Sequence, residues 1–342
     1  MRRQGRCFDS IISRDNLRLA FLKALRGKRG SKAALLFCRD VEAGLEDVRQ
    51  RLLAPHPVWG PYRSLVITDP KERTISAAPF PERIMHHAIM NVLEPIFERP
   101  MIHHSYACRA GNGTHAAVLY AFRQCKAHPW FLKLDVRKYF NSIDHRILFE
   151  RLQALLKDGP VLQLLRTLIA SHHTAPGKGL PIGNLTSQFF ANLYLADLDH
   201  YILEHLKPAA YVRYMDDFVL WADCKADLVI LHAAILAFAR NQLALTLKPP
   251  VLAATARGLP FLGFLIKPGG IHLMRKSRHR MITAARDIDA DLTAGRISEA
   301  KAAERTASVN AAVALARTQA LRLWLWHGRG LGHASTLATN RI

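Results

Sequence analysis

The chain has 342 residues, half of them hydrophobic, enough for two or three subdomains around a sizeable core. Lys and Arg number 48 against 27 Asp and Glu, a net charge of +21 with a pI near 10.2, and such an excess points to a polyanionic partner, nucleic acid before membrane. No apolar run approaches the roughly 18 residues that span a bilayer and no cleavable leader is visible, so the sequence reads as cytoplasmic with no membrane partner.

The five cysteines lack CxxC or disulfide-like spacing and read as reduced, buried residues. Basic residues cluster at Arg2, Arg3 and Arg6, from Arg26 to Lys32 and from Arg275 to Arg280, several separate surfaces suited to a long ligand. Residues 1–60 form a helical extension by apolar spacing through Leu17, Phe21 and Leu25 and again through Leu45, Val48 and Leu52, ended by Pro55 and Pro57. From Tyr62 to Ser76, SLVIT, the turn-like DPKE and RTIS predict a hairpin presenting Lys71 and Arg73. Pro79 and Pro81 lead into the helix ERIMHHAIMNVLEPIF, with Arg83 in its first turn.

Trp130 to Val136 predicts a buried strand on which Lys133 and Asp135 share a face by period-two alternation. Ser142 or Asp144 caps the helix running on through Leu148, Leu152 and Leu155. The loop APGKGLPIGN opens one long helix through Gln188, Asn192 and Leu198 toward Leu206. Two apolar strands, AYVRYM and FVLWAD, meet at Asp216 and Asp217; PFLGFLI reads as a further strand, and a basic helical region follows.

Adjacent aspartates at a turn are common because Asp tolerates turn geometry. Here the flanking strands are too apolar for a surface hairpin, and Asp135 ends another apolar strand about 80 residues earlier. Carboxylates gathered at buried strand ends repel one another unless a cation sits between them. Hard oxygen donors suit Mg2+, which binds one or two carboxylates plus substrate phosphates, and two such ions serve an in-line phosphoryl transfer. Lys71, Arg73 and Arg83 are the candidates to hold a triphosphate.

LDVRKYF at 134–140, YMDD from Tyr214 to Asp217 and FLGF at 261–264 stand in the order in which the reverse transcriptase family carries them, and the chain resembles that family over residues 60–275. The resemblance implies an RNA-dependent DNA polymerase of the α+β right-hand fold. After the extension of 1–60 come fingers with the start of the palm at 61–130, a palm with an antiparallel sheet at 131–270, and a helical thumb at 271–342. It implies two Mg2+ ions, replaceable by Mn2+, held by Asp135, Asp216 and Asp217, with Val136 in the same metal set. Arg73 and Arg83 match residues that clasp the triphosphate, and Phe140 matches an aromatic gate against the ribose 2′-OH. Tyr214, Met215, Leu262 and Gly263 would approach the primer and template, with FLGF as the primer grip. Lys276, Arg278 and Arg280 would contact the backbone of an RNA–DNA hybrid, independently of its sequence. The family's general acid for pyrophosphate is a lysine or histidine before the primer grip; Lys248 is nearest, aligns poorly, and stays outside the catalytic set.

One departure is informative. LPIGNLTSQ has Ile182 and Gln188 where most bacterial reverse transcriptases carry glutamine and proline. With YACRAGNGTHA at 106–116 and RGLPFLGF at 257–264, this variant resembles the enzymes of diversity-generating retroelements. That implies error-prone copying of a template-repeat RNA, errors falling opposite adenine, and a small basic accessory protein. Ile182, Gly183 and Gln188 are then dNTP-binding positions, and an isoleucine offers apolar contact where glutamine would hydrogen-bond. The alternatives are a retron or group II intron enzyme, which this loop disfavours, and an idle RNA-binding scaffold, which the three carboxylates disfavour. With fewer than 80 residues after FLGF, no RNase H or endonuclease domain is expected.

Overall fold

The computed structural model describes residues 3–68 and 73–327. The N-terminal extension holds four helices, α1 (Phe8–Ile11), α2 (Arg14–Leu25), α3 (Lys32–Phe37) and α4 (Val41–Leu53), where apolar spacing alone marks two. Ser13, Ser31 and Asp40 cap the last three by accepting from a backbone N–H three residues on. The hairpin follows as β1 (Arg63–Ile67) and β2 (Arg73–Ala77), antiparallel with Arg63 opposite Ala77. Lys71 lies outside the described residues, as does the side chain of Arg73.

Next come α5 (Phe80–Glu98), α6 (Thr114–Ala127), β3 (Trp130–Asp135), α7 (Tyr139–Ser142), α8 (His145–Leu155) and α9 (Gly159–Ala170). Asp144 is the cap of α8, accepting from the N–H groups of Arg146 and Ile147; Ser142 instead ends α7. The single long helix expected after APGKGLPIGN is divided into α10 (Leu185–Tyr194), α11 (Ala196–His200) and a π-helical turn at Tyr201–Leu206. The division falls at Leu195, whose ψ of −2° leaves the α-helical range.

The remaining elements are β4 (Ala210–Tyr214), β5 (Asp217–Ala222), α12 (Lys225–Leu243), β6 (Val251–Ala254), β7 (Leu259–Phe261), β8 (Phe264–Lys267), β9 (Gly270–Leu273), α13 (Arg275–Thr293), α14 (Glu299–Ala312) and α15 (Gln319–His327). PFLGFLI is therefore two strands. Leu262 and Gly263 both take positive φ, 50° and 88°, which folds the apolar run into a two-residue hairpin.

By contacts the chain forms two compact units, each built from three stretches. The first comprises Met1–Cys108, Asp135–Leu206 and Ala233–Pro249. It is helical around α5, whose Ile84, Met85, Ala88, Ile89 and Leu93 are fully buried. That face packs against α2 and α10, and the rings of Phe21, Phe37 and Phe80 close one end of the core.

The second unit comprises Arg109–Leu134, Lys207–His232 and Pro250–Ile342. Its four-stranded sheet has the order β4-β5-β3-β6, with β4 antiparallel to β5 and β3 antiparallel to β6. Every residue of β5 after Asp217 is buried, which is why the sequence there shows a continuous apolar run and no alternation. A three-stranded antiparallel sheet, β7-β8-β9, carries α6 against β8. Helices α13 to α15 enclose their own core of Met281, Ala285, Val313, Leu325 and Trp326.

Among the described residues, α12 is long and apolar enough to cross a membrane by length and composition. Its Leu228, Leu231, Ile235, Ala239 and Leu243 are buried at helical spacing, the pattern of a helix packed on protein. Cys7 and Cys125 are buried as expected, but Cys38 and Cys224 are exposed; spacing carries no information on that point.

Candidate active site

Asp135 closes β3 and is the first residue of the second stretch of the first unit. Its carbonyl accepts from the Lys248 N–H at 2.8 Å, and its carboxylate meets Lys248 Nζ at 2.6 Å. Val136, fully buried, stands opposite Leu247 in the same short bridge. Lys248, set aside on sequence, is thus brought to a predicted metal-binding carboxylate by both its backbone and its side chain.

In the second unit, Tyr214 pairs with Asp217, so Met215 and Asp216 are the two residues of a tight turn. Met215 takes φ of 54°, and its carbonyl accepts from Arg213 Nη1 at 3.0 Å. Arg213 is completely buried, a position that sequence reading passes over because the surrounding strand is apolar. Asp217 Oδ2 lies 2.9 Å from Lys133 Nζ, which also donates to the Pro260 carbonyl at 2.8 Å. Tyr214 accepts from the Thr114 hydroxyl at 3.2 Å.

Among the described residues, no three or more His, Cys, Asp or Glu side chains come together as a group that could hold a metal ion. The donor set still fits a hard divalent cation. Asp135 and Asp217 have side chains 33% and 21% exposed, each balanced by a lysine, and a cation sharing its coordination with substrate phosphates needs only one or two protein carboxylates.

The first unit holds a cavity of about 310 Å3 whose lining includes Lys23, Arg83, His87, Gly183, Asn184 and Gln188. Three of the predicted dNTP positions, Arg83, Gly183 and Gln188, therefore meet there. Ile182 is fixed nearby, its carbonyl accepting from Ser76 N–H at 2.7 Å. Gly183 has φ of 108°, and a Cβ there would lie 2.6 Å from Ile75 Cγ2, so the loop can lie this close to β2 only as glycine. Arg83 Nε is buried without a hydrogen-bond partner. Burial, then the charges of Arg83 and Lys23, push the His87 imidazole down to about 4; a neutral histidine among fixed cations suits an anionic ligand.

His86, also in the cavity lining, joins Thr186 Oγ1 at 3.0 Å to Glu82 Oε1 at 3.3 Å, and Glu82 accepts the Gly60 N–H at 2.6 Å. Phe140 is half-buried and its carbonyl accepts from Leu180 N–H. Phe140 and Ile182 stand outside the cavity lining among the described residues.

On the primer side as read from sequence, Leu262, Gly263 and Arg280 share a cleft of about 290 Å3 with Thr114, Ser277 and Met281. The Gly263 carbonyl accepts from Met274 N–H and from the Ser277 hydroxyl. Lys276, Arg278 and Arg280 are exposed on α13, and Arg278 lines a separate groove of about 550 Å3 with Arg317 and Trp324.

A family model described as "Reverse transcriptase (RNA-dependent DNA polymerase)" matches residues 68–266. The chain belongs to the reverse transcriptase family. This reverse transcriptase chain is 26% identical over 220 residues to Protein YkfC of Escherichia coli (strain K12), covering 52% of this chain and 58% of that protein. It is 26% identical over 140 residues to the group II intron-encoded protein LtrA of Lactococcus lactis subsp. cremoris, covering 39% and 23%. The match thus spans little more than half of one relative and about a quarter of the other. A solved telomerase of Candida albicans with a fragment of telomeric RNA aligns at a TM-score of 0.47 and 12% identity, covering 76% of this chain and 54% of that one. As a reverse transcriptase the chain has the right-hand polymerase fold, and its antiparallel sheets and helices are those of that α+β architecture.

Proposed function

We propose that the chain is an RNA-directed DNA polymerase that copies an RNA template into cDNA. The observation that carries this reading is the YMDD hairpin: a tight turn offering Asp216 beside Asp217, at the head of the strand next to β3, which ends at Asp135. Asp135, with Val136 next to it in the chain, and the pair Asp216 and Asp217 would hold two Mg2+ ions, or Mn2+ in their place. Bound there, the ions supply charge that activates the primer hydroxyl and stabilises the leaving pyrophosphate. Lys248 and Lys133 balance the carboxylates. Arg83 and Lys23 give the dNTP phosphates fixed positive partners in the cavity. Gly183 admits the ligand close to the backbone, Phe140 gates the ribose, and Tyr214, Met215, Leu262, Gly263 and α13 hold the RNA–DNA hybrid.

Within that activity we read the subtype as the diversity-generating one, acting in the cytoplasm on a template-repeat RNA with a small basic accessory protein. LPIGNLTSQ and the absence of a glutamine at 182 support it. The match to a group II intron-encoded protein favours a second reading, an intron-type enzyme. The test is dNTP incorporation on a primed RNA template with Mg2+, followed by cDNA sequencing, with Asp216→Asn and Ile182→Gln beside wild type. Asp216→Asn should lower incorporation by roughly 10^2- to 10^3-fold, the scale of losing a group that acts on transition-state charge. Errors concentrated opposite adenine and reduced by Ile182→Gln support the diversifying subtype; faithful cDNA from wild type selects the intron-type reading.

A further inference from the structure

Lys133 precedes Asp135 by two residues on β3, yet its ammonium is committed elsewhere. Of its three donors, one meets Asp217 Oδ2 at 2.9 Å and another the Pro260 carbonyl at 2.8 Å. The nitrogen also stands 5.8 Å from the centre of the Phe261 ring. The Lys133 and Asp217 side chains are only 19% and 21% exposed, so little water screens their attraction. Pro260 and Phe261 belong to β7, the strand that runs into the Leu262–Gly263 turn. One ammonium therefore ties the carboxylate at the head of β5 to the strand that delivers the primer-side backbone.

An ordinary structural ion pair joins two groups with no other employment. Here the carboxylate is one whose proposed work is to bind a cation, and two cations at the same oxygen oppose each other. We infer that Lys133 is a resident counter-ion which competes with the divalent ion for Asp217, and at the same time a positioning residue for the primer-side turn. The inference rests on the reading of Asp217 as a metal ligand. Its charge raises the metal concentration needed to fill the site, and its bond to Pro260 holds β7 for the primer. The two roles are separable by substitution. Lys133→Gln removes the charge but keeps a donor for the carbonyl, Lys133→Met removes both, and Lys133→Arg keeps both.

The test uses the whole chain. Mn2+ binding is followed by electron paramagnetic resonance without nucleic acid or dNTP, and the half-saturating concentration of primed RNA template is measured separately. Lys133→Gln and Lys133→Met should each bind Mn2+ roughly three- to tenfold more tightly than wild type, as expected for removing a like charge from a half-buried site. Lys133→Arg should match wild type. In an Asp217→Asn background the gain should vanish. The half-saturating template concentration should rise several-fold in Lys133→Met and stay near wild type in Lys133→Gln. Unchanged or weaker Mn2+ binding in Lys133→Gln, or a gain that persists without Asp217, would overturn the inference. Because the metal titration needs no polymerisation, a chain that binds Mn2+ as expected but incorporates no dNTP sinks the polymerase reading and leaves the counter-ion judged on its own.

Discussion

Two hairpins of the second unit are built alike and present different things. The β4–β5 turn consists of Met215 and Asp216, the β7–β8 turn of Leu262 and Gly263, and the first residue of each has φ near 50°. Such turns favour glycine or asparagine, and a side chain at positive φ costs about 1–2 kcal/mol. At β4–β5 the chain accepts that cost to keep two side chains at the tip, and the buried Arg213 holds the Met215 carbonyl. At β7–β8 the second position is glycine, and what the turn presents is backbone close to α13. A hairpin that must offer side chains is stabilised from behind; one that must offer main chain is thinned in front.

The largest effect should come from removing that support. Arg213→Met is expected to cost roughly 2–4 kcal/mol in denaturant unfolding, the range for breaking a buried charged interaction, with incorporation falling in parallel. A variant as stable and active as wild type would mean the turn needs no brace. Next is Gly263→Ala. A Cβ there would lie 2.8 Å from Ser277 Oγ at φ of 88°, so a loss of about 1–3 kcal/mol is expected, against a gain of up to about 1 kcal/mol for Met215→Gly, which should still bind primed template more weakly. Equal losses at both positions would erase the distinction.

The smallest effect is a control away from both hairpins. The folded-state pKa of His87, about 4, lies below the ordinary 6.5. The unfolded chain therefore takes up the proton first, and stability should be highest above pH 6.5 and decline as pH falls toward 4. His87→Phe should flatten that slope in a melting-temperature series by a few degrees while the differences between the hairpin variants persist.

Much of the candidate site was legible because it is local. YMDD lies within one hairpin, Asp135 ends an unbroken apolar strand, and Arg83 sits on a helix with clear apolar spacing. The hairpin inside PFLGFLI was not, since a continuous apolar run hides a two-residue turn and only Gly263 marks it. The break at Leu195 has no proline or glycine to announce it. The ammonium partners of Asp135 and Asp217 come from another strand or a distant loop, and periodicity reports a shared face within one element, never a partner from another. Lys23 reaches the cavity lined by Arg83 and Gln188 from the N-terminal extension, whose spacing shows only which face is buried.

Each unit is stitched from three stretches that alternate along the chain, and β3 pairs with β6 through Trp130 opposite Ala254. Neither unit can be cut out as a continuous gene fragment or exchanged with a relative at a single crossover. During synthesis, the strand bearing Asp135 waits for β6 to emerge before its second edge is covered. Such pairing across long sequence separation slows folding, and until it forms an apolar strand edge stays open to other chains, so expression should be more sensitive to temperature and chaperone supply than stability alone would suggest.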